Sequence, residues 1–574
     1  MSTQKKNQKH SLTFNGFGGV NRALCHGEKL LADDVENFRI LEDGTLEKRS
    51  GFGFVTDLGT SPRATYRTII GGKETLFVLL NSMVCILDCE SGDLSEIGTI
   101  ESSEGNACFF HFKESLFLLD GVKVYEYADN SFREVLGYVP LVAKDWQNDV
   151  VGDIWQPRNI LNRHARATFI ISDPPSSFLC VGEPVESVEA VYLNNALLKP
   201  ERYSIDEGFN AISVQGLDAG DRVELFFTYK NGYDTLLSRL CSSVSSALFG
   251  GIGSSRIFLC GGNGSGTVFG SKNVTDLELA ASKKLYPQSN GLYFPASYAF
   301  DAGNGINEVQ AIVRSYDRIL IFTEGDVWMI SPDEGSDASG AVSVNPWLGC
   351  PVGGGGVALE NDAVSIGNGS VWRWSRASES GYKAQCLSAP IDPTLSKSFL
   401  SNCGIFYYAT RRELWLYNKT QKIAWIYGED AKAWYSFTGF CADFMTEING
   451  AVIFIKDGEL YRFYDGKPSD TDNQGIEHLF SAKYVTNTLD FGVERNKNLA
   501  SVTLSGDLRN GNILLKFDTN TGESLTCEIS DEKNYEHSII NARLCSGRFK
   551  YGTLTISSPA GRWQKIHRLT LSAR

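Results

Sequence analysis

No apolar run in this chain approaches the roughly 20 residues that a bilayer-spanning helix needs, which argues against membrane insertion. Histidine is scarce, at seven, and none stands at helical i, i+4 spacing with an acid as a metalloprotease motif would require. No G-x-S-x-G elbow is present, so a serine triad has no foothold. The thirteen cysteines are odd in number and scattered, with Cys85, Cys180, Cys260 and Cys527 inside apolar runs. That pattern is no disulfide framework and implies reduced thiols, hence assembly in a cytoplasm. Cys85 and Cys89 are the closest pair, yet no second pair or nearby His completes a zinc site. Blocks of like charge are missing too. The net charge of −14 (54 Lys and Arg against 68 Asp and Glu) is thinly spread and argues against a surface that grips nucleic-acid phosphates. The first ten residues, MSTQKKNQKH, lack the apolar core of a secretion signal. They read as a flexible arm, with Lys5, Lys6 and Lys9 in solvent.

What is present is glycine, 57 residues of it, with 42% apolar and 11% aromatic residues and few patterns of helical length. That composition belongs to a globular, β-rich chain. Its recurring unit is clearest in RILIFTEGDVWMI, Arg318–Ile330: two short apolar runs around Glu324-Gly325, the signature of an antiparallel hairpin. The same shape turns at Asn81, Asp120, Gly264, Asn368, Arg411 and Asp457. Successive turns stand 39, 44, 43 and 46 residues apart, apart from two longer steps of 60 and 144. A hairpin every forty-odd residues is the period of a propeller blade. Further apolar stretches precede the hairpins, at Arg67–Ile70, Ala107–Phe110 and Val309–Val313. Each blade therefore has at least three strands, and six or seven blades are expected. The longest step exceeds any loop and must hold an inserted domain. A Leu/Ala/Lys-rich helix over Val274–Lys284 accounts for the other.

The insert has its own period-two alternation, at Val188, Val191 and Leu193 and again at Val223, Leu225 and Phe227, with Asn194-Asn195 as a turn. That is a half-buried sheet, so a β-sandwich is expected. DGKPSDTDNQG, 465–475, has no apolar residue and reads as a linker, after which LASVTLSG, NILLKFD, SLTCEIS and GTLTISS announce another β unit. The expected fold class is all-β: a six- or seven-bladed β-propeller with an inserted and a C-terminal β-sandwich. The expected boundaries are an arm at 1–15, propeller at 16–140, linker and inserted sandwich at 141–235, propeller at 236–465, and C-terminal sandwich at 466–574.

Several residues were candidates for chemistry, each with a plainer reading. Glu324, Asp326 and Glu413 could pair as glycosidase carboxylates, but turns favour acids for their own reasons. Asp470 and Asp472 stand two apart as in calcium loops, without the rest of the pattern or its closing Glu. Gly353–Gly356 lacks the Lys-Ser/Thr of a phosphate loop and reads as a bend between blades. His111, inside FFHF, reads as a strand residue, and Tyr192, Tyr203 and Tyr229 read as packing rather than a sugar platform. No catalytic, cofactor-binding or metal residue is expected, and the chain reads as no enzyme.

One run of residues carries a resemblance. Gly18-Gly19, then Asn37 with Phe38-Arg39, then Gly44-x-Leu46-x-Lys48-Arg49-x-Gly51 resembles the opening of the tail nozzle (tail tubular or stabilisation) proteins of short-tailed bacteriophages. Members often carry Pro where this chain has Ser50. Tyr138-Val139-Pro140 and Asn159-Ile160-Leu161-Asn162 resemble the family's exit into its inserted domain. Phe269–Ser271, Tyr293–Pro295, Ile312 and Ile321–Glu324 follow in the family's order, and Leu489-Asp490-Phe491-Gly492 and Arg548-Phe549 resemble its C-terminal sandwich. The resemblance implies a virion tail protein assembled in the host cytoplasm, with no cofactor. It implies a homohexameric ring beneath the portal or adaptor and above fibre or needle proteins, through which DNA passes without sequence-specific contact. A carbohydrate-binding propeller is the alternative.

Overall fold

The computed structural model describes residues 10–21, 31–70, 72–147, 151–206, 210–250, 255–262, 264–303, 305–331, 341–378, 381–492, 495–508, 511–530, 538–544 and 546–574. The chain is all-β, and among the described residues seven four-stranded antiparallel blades, six of them meanders of consecutive strands, make a β-propeller. It divides into two compact units, Met1–Leu80 with Cys85–Glu96 and Pro351–Arg574, and Asn81–Val84 with Ile97–Cys350.

In the first unit, one blade runs Gly356–Leu359, Asp362–Gly367, Ser370–Arg376 and Tyr382–Cys386, and the next runs Cys403–Tyr408, Glu413–Asn418, Ile423–Gly428 and Ala433–Thr438. The last has only three local strands, Phe444–Ile448, Ala451–Lys456 and Glu459–Phe463, and its fourth comes from the far end of the chain. Phe52–Asp57 pairs antiparallel with Glu459–Phe463, Phe52 opposite Phe463. This closure satisfies an edge that would otherwise expose a row of unpaired amides. Ala64–Ile70 and Lys73–Leu80 then start the blade completed by Met83–Leu87 and Leu94–Thr99. The first strands of consecutive blades lie side by side. In the second unit the blades begin at Cys108–Phe112, Ser245–Phe249 and Val309–Ser315, again with neighbouring first strands in contact.

Burial explains why the hairpins were visible in the sequence. The middle strands are covered on both faces, as in Glu413–Asn418, where every residue is buried, and Arg318–Thr323, where only Arg318 is not. Such strands need continuous apolar runs rather than alternation. Their turns are the tight primed kind: Asn368-Gly369 has φ of 49° and 81°, and Asp457-Gly458 has 52° and 86°. Gly353–Gly356 leads into the first strand of a blade as a bend, with Gly354 at φ 69°. The expected helix spans Asp276–Lys283 and begins at a capping box, Thr275 with Glu278.

The insert, in the second unit, is a two-sheet sandwich. Leu141–Gln147, His164–Ile170, Arg222–Tyr229, Val185–Leu193 and Ala196–Leu197 form one sheet, and Phe178–Cys180, Ala211–Val214 and Tyr203–Asp206 form the other. Phe169, Leu179, Ile212, Leu225 and Phe227 fill the space between them. Asn194 and Asn195, at φ 46° and 69°, make the expected turn.

Three boundaries differ from expectation. The arm drawn at 1–15 includes a strand, His10–Phe14, which pairs in full register with Phe14–Leu569 to His10–Ala573 of the last strand, Lys565–Ala573; Lys5, Lys6 and Lys9 lie outside the described residues. Residues drawn as the start of the propeller (16–140) instead build the C-terminal sandwich as far as Lys48. Phe38–Ile40 and Leu46–Lys48 join the sheet of Lys565–Ala573 and Leu499–Asp507, and Ala32–Glu36 pairs with Ala482–Thr486 in the facing sheet. The physical reason is pairing between segments hundreds of residues apart, which no local pattern records. The linker read at 465–475 contains a strand, Ser469–Thr471, paired with Glu477–Leu479 and touching Gly53. Finally, Ala32–Glu36 also meets Ala433–Thr438, Glu36 beside Ser436, so one nine-stranded sheet and one core run from a blade into the sandwich.

Candidate functional site

Part of the residues that carried the resemblance gather into two buried polar knots, one in each unit, while Ile312 and Ile321–Thr323 lie on blade strands. In the first unit the knot is built on Asn37 and Arg49. Asn37 adopts φ 55°, between two strands of the sandwich, and Asn is among the few side chains that tolerate this conformation. Its amide nitrogen donates to Thr438 Oγ1 and the Ser481 carbonyl, both at 2.9 Å, and its oxygen accepts from Thr438 N and Arg49 Nε, also at 2.9 Å. Arg49 is fully buried, with a side-chain exposure of 0%, and all five of its N–H groups are used. Beyond the bond to Asn37, Nη1 donates to Asp470 Oδ1 (2.8 Å) and the Ser50 carbonyl (3.1 Å), and Nη2 donates to Asp470 Oδ2 (2.6 Å) and the Thr438 carbonyl (2.8 Å). The guanidinium stacks on Phe480, 3.6 Å from the ring centre.

The flanking residues serve the same joint. Arg39 pairs with Glu413 at 2.5 Å, and that carboxylate also accepts from Tyr435 Oη at 2.8 Å and Trp415 Nε1 at 3.0 Å. Lys48 is buried with Nζ on the Pro559 carbonyl at 2.6 Å, and burial, then the charge of Arg49, pushes its pKa down to about 8. At Gly51 an added Cβ would stand 1.9 Å from the Ser469 carbonyl oxygen, and at Gly19 2.6 Å from Trp434 N. Both glycines are therefore demanded by close backbone approach.

The second knot holds the insert to its blades. Asn159, fully buried, donates to the carbonyls of Tyr138 (2.9 Å) and Leu292 (3.2 Å) and accepts from Phe294 N (3.1 Å). Tyr138 packs on Tyr293 at 5.1 Å between ring centres, and its hydroxyl donates to Gln156 at 2.9 Å. Arg166 donates to that hydroxyl at 3.1 Å and to the Val139 carbonyl at 3.2 Å. The exit motif, the return motif and the sandwich's second strand thus meet around one asparagine. Leu489–Gly492 and Arg548-Phe549 likewise meet at the sandwich's far side, with Phe491 6.0 Å from Phe549.

The acids weighed as catalytic or calcium-binding do not converge. Glu413 is committed to Arg39, Glu324 is exposed, and Asp326 accepts from Thr323 within its own turn. Asp470 belongs to Arg49, while Asp472 caps its loop through the amides of Gln474 and Ile476 and accepts from His478 at 2.8 Å. Cys85 and Cys89 are buried thiols, pushed up to about 11 and about 12 by burial, and no metal-holding cluster occurs among the described residues. Burial also lowers the His111 imidazole below its usual range. Tyr229 is buried under Arg158, Tyr192 packs against Phe226 under Lys284, and Tyr203 lies on the other sheet, so the three form no platform.

Sequence reasoning missed a hollow of about 390 Å³ beside the first knot. Phe52, Phe454, Tyr461 and Phe480 make its apolar walls, with Lys422 and His478 among its polar groups. Its rings come from four separate segments, so no sequence window contained it.

No family model matches the chain, and no curated protein matches it. Among solved structures it is similar to the WD40 domain of Neurospora crassa Pan2, at 7% identity over 73% of this chain and 96% of that one, with a TM-score of 0.35. It is similar also to the AfRom2 CNH domain (8% identity, 72% and 99% covered, TM-score 0.35) and to BBS1N from its complex with ARL6DN (8%, 73% and 98%, 0.26). At those scores the strand pairing described above, not the likeness, carries the fold.

Proposed function

We propose that the chain is a structural virion protein: the subunit of a tail nozzle or adaptor ring beneath the portal, part of the channel for DNA ejection. The observation that supports this reading is that Asn37, Arg49 and Gly51 of the opening motif, Tyr138 and Asn159 of the exit motifs and Tyr293 of the return motif all belong to the two knots. Short matched motifs scattered at random would fall mostly on turns and strands with nothing in common. Here the opening, exit and return motifs fall on the joints between propeller and sandwiches, the geometry that a ring-building subunit has to hold constant. A ring with point-group closure needs two different complementary faces per subunit, and a propeller carrying two sandwiches offers several candidate faces.

Mass photometry and negative-stain imaging of the purified chain, alone and with its connector, test the reading. Rings of six are expected, with a lumen free of continuous Lys/Arg lining, as the charge of −14 suggests. A chain that stays monomeric even with that connector refutes it. The second reading, a glycan-binding propeller, is favoured by the aromatic-walled 390 Å³ hollow, a size and lining usual for small-ligand sites. Binding on a glycan array, lost on Tyr461→Ala, would support it.

A further inference from the structure

A second hollow, of about 190 Å³, opens in the first unit, and three guanidinium groups, Arg39, Arg411 and Arg462, share its lining. Their charges are unequally answered. Arg39 is held by Glu413 at 2.5 Å, and the Glu47 carboxylate is shared by Arg39 at 3.5 Å, Arg411 at 3.3 Å and Lys565 at 2.8 Å. Two buried carboxylates therefore face three cations before Arg462 is counted. Arg411 turns its other nitrogen to Asp465, at 3.3 Å, whose side chain is 87% exposed. Arg462 pairs with Glu90, at 3.5 Å and 62% exposed, and lies 5.7 Å over the Tyr464 ring, but donates no side-chain hydrogen bond among the described residues. Solvated partners at such distances neutralise little. Among the side chains that line the hollow, three guanidinium groups stand against one carboxylate, Asp465, so it has an excess of positive charge and a guanidinium with free donors.

Aromatic rings of Tyr408, Trp415 and Phe463 form one part of its wall, and Ser50, Asn449 and Asp465 add polar groups. An apolar cavity of about 150 Å³ holds one benzene, so this one has room for a single ring and a small head group. A planar guanidinium fork matches a carboxylate better than a spherical or neutral group.

We propose that this cavity binds a carboxylate carried on one ring-sized apolar body. A free aromatic acid and the C-terminal residue of a polypeptide both present that chemistry. The site is independent of ring assembly, so its test does not depend on that reading.

Isothermal titration of the full-length chain with phenylacetate, phenylacetamide, acetate and N-acetylphenylalanine tests it. Saturable phenylacetate binding is expected, at least tenfold tighter than the amide or acetate, and weakened at least tenfold by Arg462→Gln. Ala451→Leu, which narrows the cavity from its wall, is expected to abolish binding while circular dichroism stays unchanged. N-acetylphenylalanine binding more tightly than phenylacetate assigns the site to a chain terminus, and binding more weakly assigns it to a free acid. Equal binding of acid and amide, binding of acetate as tight as phenylacetate, or full affinity in both variants overturns the proposal.

Discussion

Removing the charge of Asp470 while keeping its shape is the sharpest test of the first knot. In Asp470→Asn the two guanidinium contacts at 2.8 and 2.6 Å lose their anion, and Arg49 remains fully buried with its charge unanswered. Breaking one side of a buried pair costs about 3–5 kcal/mol, because the surviving charge has no water to return to. At 1.36 kcal/mol per decade, that is roughly a 10²- to 10⁴-fold rise in opening of the joint. Hydrogen exchange is the assay, because a chain of two units need not unfold in one step. The amides of Phe52 and Thr438, bonded to Asp470 and Asn37 respectively, should exchange faster by that factor. Arg49→Met should do the same from the other side, and the double variant Arg49→Met/Asp470→Asn should be less damaging than the sum, since neither charge of the pair is then left buried without the other. Additive effects, or an Asp470→Asn change below tenfold, would refute the account of this pair as a mutually dependent buried unit.

Three further outcomes follow from the same contacts. Asn159→Ala strands the Phe294 amide, at about 1–3 kcal/mol for a buried group without a partner, while the Leu292 and Tyr138 carbonyls keep the Tyr138 amide and Asn162 respectively, and limited proteolysis should release the insert sooner. Gly51→Ala drives a methyl group to 1.9 Å from the Ser469 carbonyl, so Ser469–Thr471 must move away; lost protection there and a lower Tm are expected, with unchanged exchange in the insert. Lys48 is held at about 8 in the fold and near its ordinary 10.5 when unfolded, so the unfolded chain binds the extra proton between those values. Stability should therefore rise with pH across that window, relative to Lys48→Met, and chemical denaturation at pH 7.5 and 9.5 reads the difference.

How much the sequence disclosed depended on where each signal was stored. The middle strands of the blades announced themselves because both faces are buried, so Arg318–Thr323 and Glu413–Asn418 are runs with few polar residues. The closing strand Phe52–Asp57 gave no such sign, because its partner, Glu459–Phe463, lies at the other end of the chain. Ser469–Thr471 looked like linker since it has no apolar residue; pairing and the Arg49 bond hold it in place. The charge pairs misled for the same reason. Glu413 begins a strand beside a turn and so looked solvated, yet it is buried against Arg39, a residue 374 positions away. Both hollows were out of reach of any sequence window, since their walls are gathered from distant segments.

The choice of polar residues at the joints needs a reason, because buried ion pairs are poor sources of stability and apolar substitutes of equal volume often do as well. An apolar joint between two sheets has a weakness, however: apolar contacts are non-directional, and a strand displaced by two residues presents a similar face. Arg49 removes that freedom. Its five donors meet acceptors on Asn37, Ser50, Thr438 and Asp470, drawn from a sandwich strand's end, a blade and the added hairpin, and no displaced register satisfies them together. Asn159 does the same for the insert with a neutral group, at a site where Tyr138 and Leu292 present carbonyls and Phe294 an amide. Both knots therefore exchange some stability for a single relative placement of the parts they join within each unit. On the ring-subunit reading proposed above, that exchange would serve to present each part to neighbouring subunits at a fixed angle.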